Sequence, residues 1–199
     1  MEIQTHLAAQ YLATANKSFV AQKSDDSHTN LGFDIETLSL TTHSLSENGS
    51  FLAFNYKNFC LEWSAAKGKR ILALDQMHHS QVVHWLEEQA KEDLGKPYTY
   101  NLHYELPYTH DNNYIFEQKN PKDLERLADL RVMAQQGLED LANTYQLDSP
   151  IRIWPHHFDT GGYAALPETS LYLGFGLAIP DSLCDSHYFY LSAYYDNIM

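Results

Sequence analysis

Apolar residues recur at three- and four-residue steps in three stretches of this chain and at shorter steps through much of the rest. In residues 2–22, Ile3, Leu7 and Tyr11, joined by Ala8, Leu12, Ala15 and Phe19, mark one face of a helix. The polar run KSDDSHTN at 23–30 ends it. Residues 79–94 repeat the pattern with Val82, Val83, Leu86, Ala90 and Leu94, and Gly95 followed by Pro97 closes that helix. For the third, Asn120 is a natural N-cap, Pro121 suits the first helical position, and Asp123 and Glu125 favour the positive end of the dipole. Leu127, Leu130, Ala134, Leu138, Leu141 and Tyr145 then form a stripe that ends before Pro150.

Strand-like stretches fill 31–45, 51–63 and 69–75, separated by SENGS (46–50) and AKGK (66–69), whose Gly49 and Gly68 supply turn chemistry. YTYNLHYELP (98–107) alternates strictly, with Tyr98, Tyr100, Leu102, Tyr104 and Leu106 on one side, and predicts a half-buried strand. A loop follows, with HDNN (110–113) as a turn, and three more strands are predicted at 151–159, 170–179 and 187–195. This order predicts an α+β fold: antiparallel sheet covered by about three helices, in one domain over residues 1–199. Each half reads helix, strand, strand, strand. LGFD (31–34) and PHHFD (155–159) put a Phe-Asp pair at the head of the first strand, and SFLAFNY (50–56) and SLYLGFG (170–176) follow. A duplication with halves 1–97 and 98–199 is one explanation, and coincidence within an α+β chain is the other.

The candidate chemistry gathers in IRIWPHHFDTGG (151–162). As a strand, it places Ile151, Ile153, Pro155, His157 and Asp159 on one face and Arg152, Trp154, His156 and Phe158 on the other. A face that is apolar until its last positions describes the floor of a pocket. His157 and Asp159 then have several readings. They form a ligand-binding pair with His156, Trp154 and His28 nearby, they act as a base and its orienting carboxylate, or they hold a divalent metal such as zinc, iron or manganese. The plain alternative is an imidazole satisfied by a carboxylate or carbonyl at a buried strand end. A metal would need further ligands, for which Glu168 and His187 are the candidates, with Asp185 and His28 behind them. His79 and His84 are five apart and do not match the i, i+4 spacing of a helical metal pair. In 171–178, Gly174 and Gly176 share a face next to Tyr188, Tyr190 and Tyr194, leaving room for a neighbouring aromatic ring or for a flat ligand.

Composition narrows the partners. The chain has 199 residues and a formal net charge of −13, with a pI near 5.1. It is repelled by nucleic-acid phosphates and by anionic membrane surfaces, so neither is an expected partner. Cys60 and Cys184 lack CxxC spacing and read as buried free thiols of a reducing cytoplasm. No leader pattern opens the sequence, and no apolar run approaches the ~18 residues of a membrane helix.

SHTNLGFDIETLSL, SFLAFNYKNFCLEW, NPKDLERLADL, SPIRIWPHHFDTG and GFGLAIP…HYFYLSAY, in that order, resemble an uncharacterised bacterial domain-of-unknown-function family. The resemblance spans nearly the whole chain, and WPHHFD and the C-terminal segment are its specific parts. TGGYAAL stands where the family's strand carries an arginine-containing segment. The family has no known activity, so the resemblance implies a folded unit and no chemistry. Two functional expectations follow from the residues. The first is a small-molecule-binding domain with a pocket near WPHHFD, in its enzymatic form a metal-assisted hydrolase whose ion lowers the pKa of bound water toward ~7. The alternative is a non-enzymatic structural or interaction protein, a homodimer joined through its Tyr-rich C-terminal strands.

Overall fold

Helix α1 (Glu2–Phe19) is buried on every side from residue 5 to residue 16 in the computed structural model, which describes residues 1–108 and 113–195. The stripe of Ile3, Leu7 and Tyr11 had predicted a one-sided helix. Instead Ile3 is exposed, while Thr5, His6, Gln10, Thr14 and Asn16 are fully enclosed. A polar side chain enclosed in this way needs a partner, and each has one. Thr14 Oγ1 donates to the Gln10 carbonyl at 2.7 Å, and Asn16 accepts from the His43 amide at 3.0 Å and donates to the Asn30 carbonyl at 3.1 Å. His6 and Gln10 reach into the second half of the chain.

Five antiparallel strands follow in a meander: β1 (Gly32–Asp34), β2 (Ser39–Thr41), β3 (Phe51–Asn55), β4 (Cys60–Ala65) and β5 (Gly68–Ala73). The stretches 31–45 and 51–63, expected as one strand each, are two hairpins. Asp34 accepts from the amides of Glu36 and Thr37, and Asn55 accepts from that of Asn58, so both chains turn on short polar side chains. Each turn ends on a hydrophobic residue with positive φ, Leu38 at 53° and Phe59 at 46°.

Helix α2 (His79–Leu94) has the predicted bounds and ends at Gly95 with φ 63°. Residues 98–108 form no strand. Their burial alternates as the sequence suggested, but the segment is a strap lying on α1. Side-chain bonds replace the ladder: Tyr98 Oη lies 2.6 Å from Thr14 Oγ1, and Tyr104 Oη donates to Gln10 Oε1 at 2.6 Å. HDNN lies mostly outside the described residues. Helix α3 (Pro121–Tyr145) starts where predicted, with Asn120 accepting from the Lys122 amide. Its buried face is rotated from the predicted stripe to include Arg131 and Gln135, and Tyr145 is exposed.

The second sheet is also an antiparallel meander: β6 (Arg152–Trp154), β7 (Asp159–Ala165), β8 (Leu171–Ala178) and β9 (Tyr188–Tyr195). The expected strand 151–159 breaks at residues 155–158, which turn the chain from β6 into β7. Among the described residues, three α-helices and two antiparallel sheets make the fold α+β. The sheets meet edge to edge, where Leu31 and Ile153 exchange two backbone hydrogen bonds of 2.9 Å. The main apolar cluster crosses that seam, uniting α1, the first sheet and α2 with Ile153 and Phe158, while a smaller one lies between α3 and the second sheet.

Both halves place a helix before a meander, but five strands stand against four. Phe33 and Asp34 close β1, whereas Phe158 ends a turn and Asp159 opens β7, so the Phe-Asp pairs are not equivalent. Cys60 is buried, its thiol raised to about 11 by burial and by Glu62, whereas Cys184, expected to be buried, is half-exposed. Among the described residues no helix is long and apolar enough to cross a membrane.

The space above Gly174 and Gly176 is taken by Tyr194 and Tyr190, as one reading of those glycines had it. A Cβ on Gly176 would lie 2.6 Å from the Thr160 carbonyl and 2.7 Å from Tyr190 Oη. Gly176→Ala is therefore expected to cost about 1–3 kcal/mol, the usual range for overpacking, read as a lower midpoint in urea with an unchanged slope.

Candidate functional site

The β6–β7 turn, residues 155–158, is held from below by three buried polar side chains. His6 Nε2 donates to the Pro155 carbonyl at 2.7 Å, and Gln10 Nε2 donates to the same oxygen at 2.9 Å. Arg131 Nη2 donates to the Phe158 carbonyl at 2.6 Å, and its Nη1 to Thr160 Oγ1 at 2.6 Å. Phe158, at φ 63°, turns its ring inward between them, stacked on His6 at 4.6 Å and capped by the Arg131 guanidinium at 4.2 Å. A cation on a desolvated aromatic face contributes about 2 kcal/mol. Because the Pro155 carbonyl can only accept, His6 carries its proton on Nε2. Burial, resisted by the Pro155 bond and assisted by Arg131, holds His6 at about 4, so the ring is neutral at pH 7.

This turn displaces the residues singled out in the sequence. His157 and Asp159 do not share a strand face, because the chain reverses between His157 and β7. His157 is exposed, and Asp159 Oδ2 accepts from Tyr190 Oη at 2.5 Å. His156 is half-buried beside His157, Tyr104 and Trp154, with its pKa lowered by burial and then by His157. His28 is buried in a 3-10 turn (Ser27–Thr29), where its Nδ1 accepts from the Lys23 amide at 3.3 Å. Glu168 is exposed at φ 61° in the β7–β8 turn, and His187 Nε2 lies 3.1 Å from Glu2 Oε1. The metal set His157, Asp159, Glu168 and His187 is thus dispersed. Among the described residues no three His, Cys, Asp or Glu side chains gather closely enough to hold an ion.

A cavity of about 10 Å³ lies beneath the turn, walled by Glu2, Tyr56, Arg131, Phe158, Leu177 and His187. That is room for about one water molecule. A groove of about 370 Å³ lies elsewhere, between the 45–50 loop, the β4–β5 turn and the end of α2, with Lys67, Asp93 and Lys96 in its wall. Neither space is lined by His157 or Asp159. The sequence reading missed His6, Gln10 and Arg131. The available signal was His6 and Gln10 at i, i+4, each one residue before Leu7 and Tyr11 of the apolar stripe.

A second feature emerges from the sheet edges. Of the four edges, β1 and β6 close on each other through Leu31 and Ile153. The β5 edge carries Lys69, paired to Glu62 at 2.7 Å, and Arg70, paired to Asp93. Charge of this kind is a common guard on an edge strand. The β9 edge, YFYLSAYY, has no charge, no proline and no bulge against β8. Its face also changes character within one strand spacing. Phe175 and Leu177 of β8 are 1% and 4% exposed beneath α3, which packs on β7 and β8, while their register partners Leu191 and Phe189 are 68% and 54% exposed. The inner face of the sheet overhangs its helix by one strand.

No protein-family model matches the chain, and neither the curated proteins nor the solved structures searched contain a match.

The clamp makes an acid-stability prediction. His6 is lowered in the folded state, so the unfolded chain takes up its proton first. Its contribution is fully present above pH 6.5 and is lost as pH falls toward 4, a swing of about 3 kcal/mol. His43, His156 and His187 are lowered as well and act in the same direction. Urea unfolding at pH 7 and pH 4.5 is expected to show this loss in the wild type and a smaller one in His6→Gln. Equal slopes of stability against pH in the two proteins would refute the assignment.

Proposed function

We propose that this chain is a non-enzymatic interaction module that accepts a β-strand along its β9 edge. One observation carries the reading: eight uncharged residues at an open sheet edge, with Phe189, Leu191 and Tyr195 exposed on the face that is elsewhere buried under α3. Strand addition draws affinity from main-chain hydrogen bonds and specificity from alternate side chains. β9 offers both, a backbone row that pairs with no further strand among the described residues and an apolar stripe at every second residue. The small-molecule and hydrolase reading draws less support, since it needs a cavity faced by His157 and Asp159, and those groups meet solvent and Tyr190 respectively.

A synthetic peptide of the β9 sequence, flanked by lysines for solubility, tests the edge. It is expected to bind with a Kd in the micromolar range and to slow amide exchange in β9 while leaving β5 unchanged. Leu191→Lys is expected to weaken binding about tenfold, the equivalent of 1.4 kcal/mol. An exchange pattern unaltered at millimolar peptide would remove the proposal.

A further inference from the structure

Resting on the reading of β9 as a docking edge, we infer that its occupant is a second copy of this chain, paired β9 to β9 in antiparallel register about a two-fold axis normal to the sheet. Symmetry restricts this pairing tightly. A two-fold axis normal to the sheet keeps like faces on the same side, and directly opposed residues in an antiparallel pair also share a face. Only registers centred on a residue satisfy both conditions. A one-residue slip would set the apolar stripe against the opposite face.

With the axis at Ser192, the strands overlap through their described length on the exposed face. Leu191 then opposes Ala193 of the other copy, large against small, and Phe189 opposes Tyr195, ring against ring. On the opposite face Tyr190 opposes Tyr194. Aromatic cross-strand pairs are among the favourable ones in a sheet, at roughly 0.2–1 kcal/mol each. The two overhanging stripes become one continuous apolar band between two α3 helices.

Net charge opposes two copies at long range, and the seam itself is spared that repulsion. The chain carries −13, so a partner chosen by electrostatics would be basic, and a strand that reads a basic partner carries acids. β9 carries none. Its neutral seam keeps the repelling charges of two identical acidic chains away from the contact. The size of the contact sets its strength. Phe189, Leu191 and Tyr195 at 54%, 68% and 70% exposure offer roughly 300 Å² of apolar surface per copy, given 150–250 Å² for a buried aromatic. A standard interface buries about 800 Å² per partner. The structure therefore assigns a reversible dimer that depends on concentration, not a permanent one.

Sedimentation equilibrium and light scattering of the full chain between about 1 and 200 µM decide the matter. The wild-type mass is expected to rise from 22.9 kDa toward twice that value. Leu191→Lys, at an exposed position, is expected to keep its far-UV spectrum and thermal midpoint and to raise the dimer Kd at least tenfold. A wild type that stays at the monomer mass at 200 µM overturns the dimer. If that monomer still binds the β9 peptide, the docking edge stands and only the second copy falls; if it binds neither, both readings fall.

Discussion

The Pro155 carbonyl accepts two hydrogen bonds from the middle of a buried helix, and the two halves of the molecule are held in place by that contact. α1 is first-half chain, and the β6–β7 turn is second-half chain. His6 and Gln10 cross between them with donors 2.7 and 2.9 Å from one oxygen. Gln10 is bonded at its other end too, through Tyr104 of the strap. The strap therefore follows α1, α1 follows the turn, and the turn follows Arg131 on α3. A second polar joint lies along the same seam, where Arg152 of β6 donates from Nε to Asn30 at 2.9 Å and its Nη2 lies within hydrogen-bond reach of His43. A hydrogen bond contributes about 1 kcal/mol net, but a buried group stripped of its partner costs more. Connected polar groups such as these penalise any other way of docking the halves, and apolar contact alone discriminates less.

How much of this was legible depends on whether the signal was local. α2 and α3 were, because a cap, a proline and a glycine announce their ends within a few residues. The alternation of Tyr98, Tyr100, Leu102 and Tyr104 was also legible, and the strand inferred from it was wrong for a physical reason. A period of two says that one side of an extended chain is covered, and α1 covers it as effectively as a sheet would. α1 itself misled: its polar residues look like a solvated face, and only the approach of distant segments reveals that they are bonded and enclosed.

The turns at 35–38, 56–59 and 155–158 were hidden for a different reason. Each places a hydrophobic residue, Leu38, Phe59 or Phe158, where turn chemistry leads one to expect glycine or asparagine. The left-handed conformation costs roughly 1–2 kcal/mol for such a residue, and fully burying a phenylalanine returns about 1.5–3 kcal/mol. Phe59 and Phe158 are almost wholly buried, so tertiary packing outweighs the local penalty, and the sequence shows a hydrophobe where the chain bends. The misreading of His157 and Asp159 follows from the same cause. Two residues apart on a strand they would share a face, but across a turn they do not.

The clamped turn and the open edge are one mechanical system. Tyr190 of β9 donates to Asp159, the first residue of β7, and its ring and hydroxyl lie over Gly161 and Gly176, where any side chain would collide with them. Burial and the Asp159 carboxylate both push the Tyr190 hydroxyl upward, so it remains a donor through the physiological range. β9 is thus anchored through a fixed tyrosine to β7, which begins at the turn that His6, Gln10 and Arg131 immobilise. Binding at a strand edge loses free energy to whatever ordering the edge still requires. An edge strand pinned across its sheet to a buried polar joint has little left to order, and the polar groups that α1 encloses at its centre thereby bear on how readily the far edge of the molecule receives a partner.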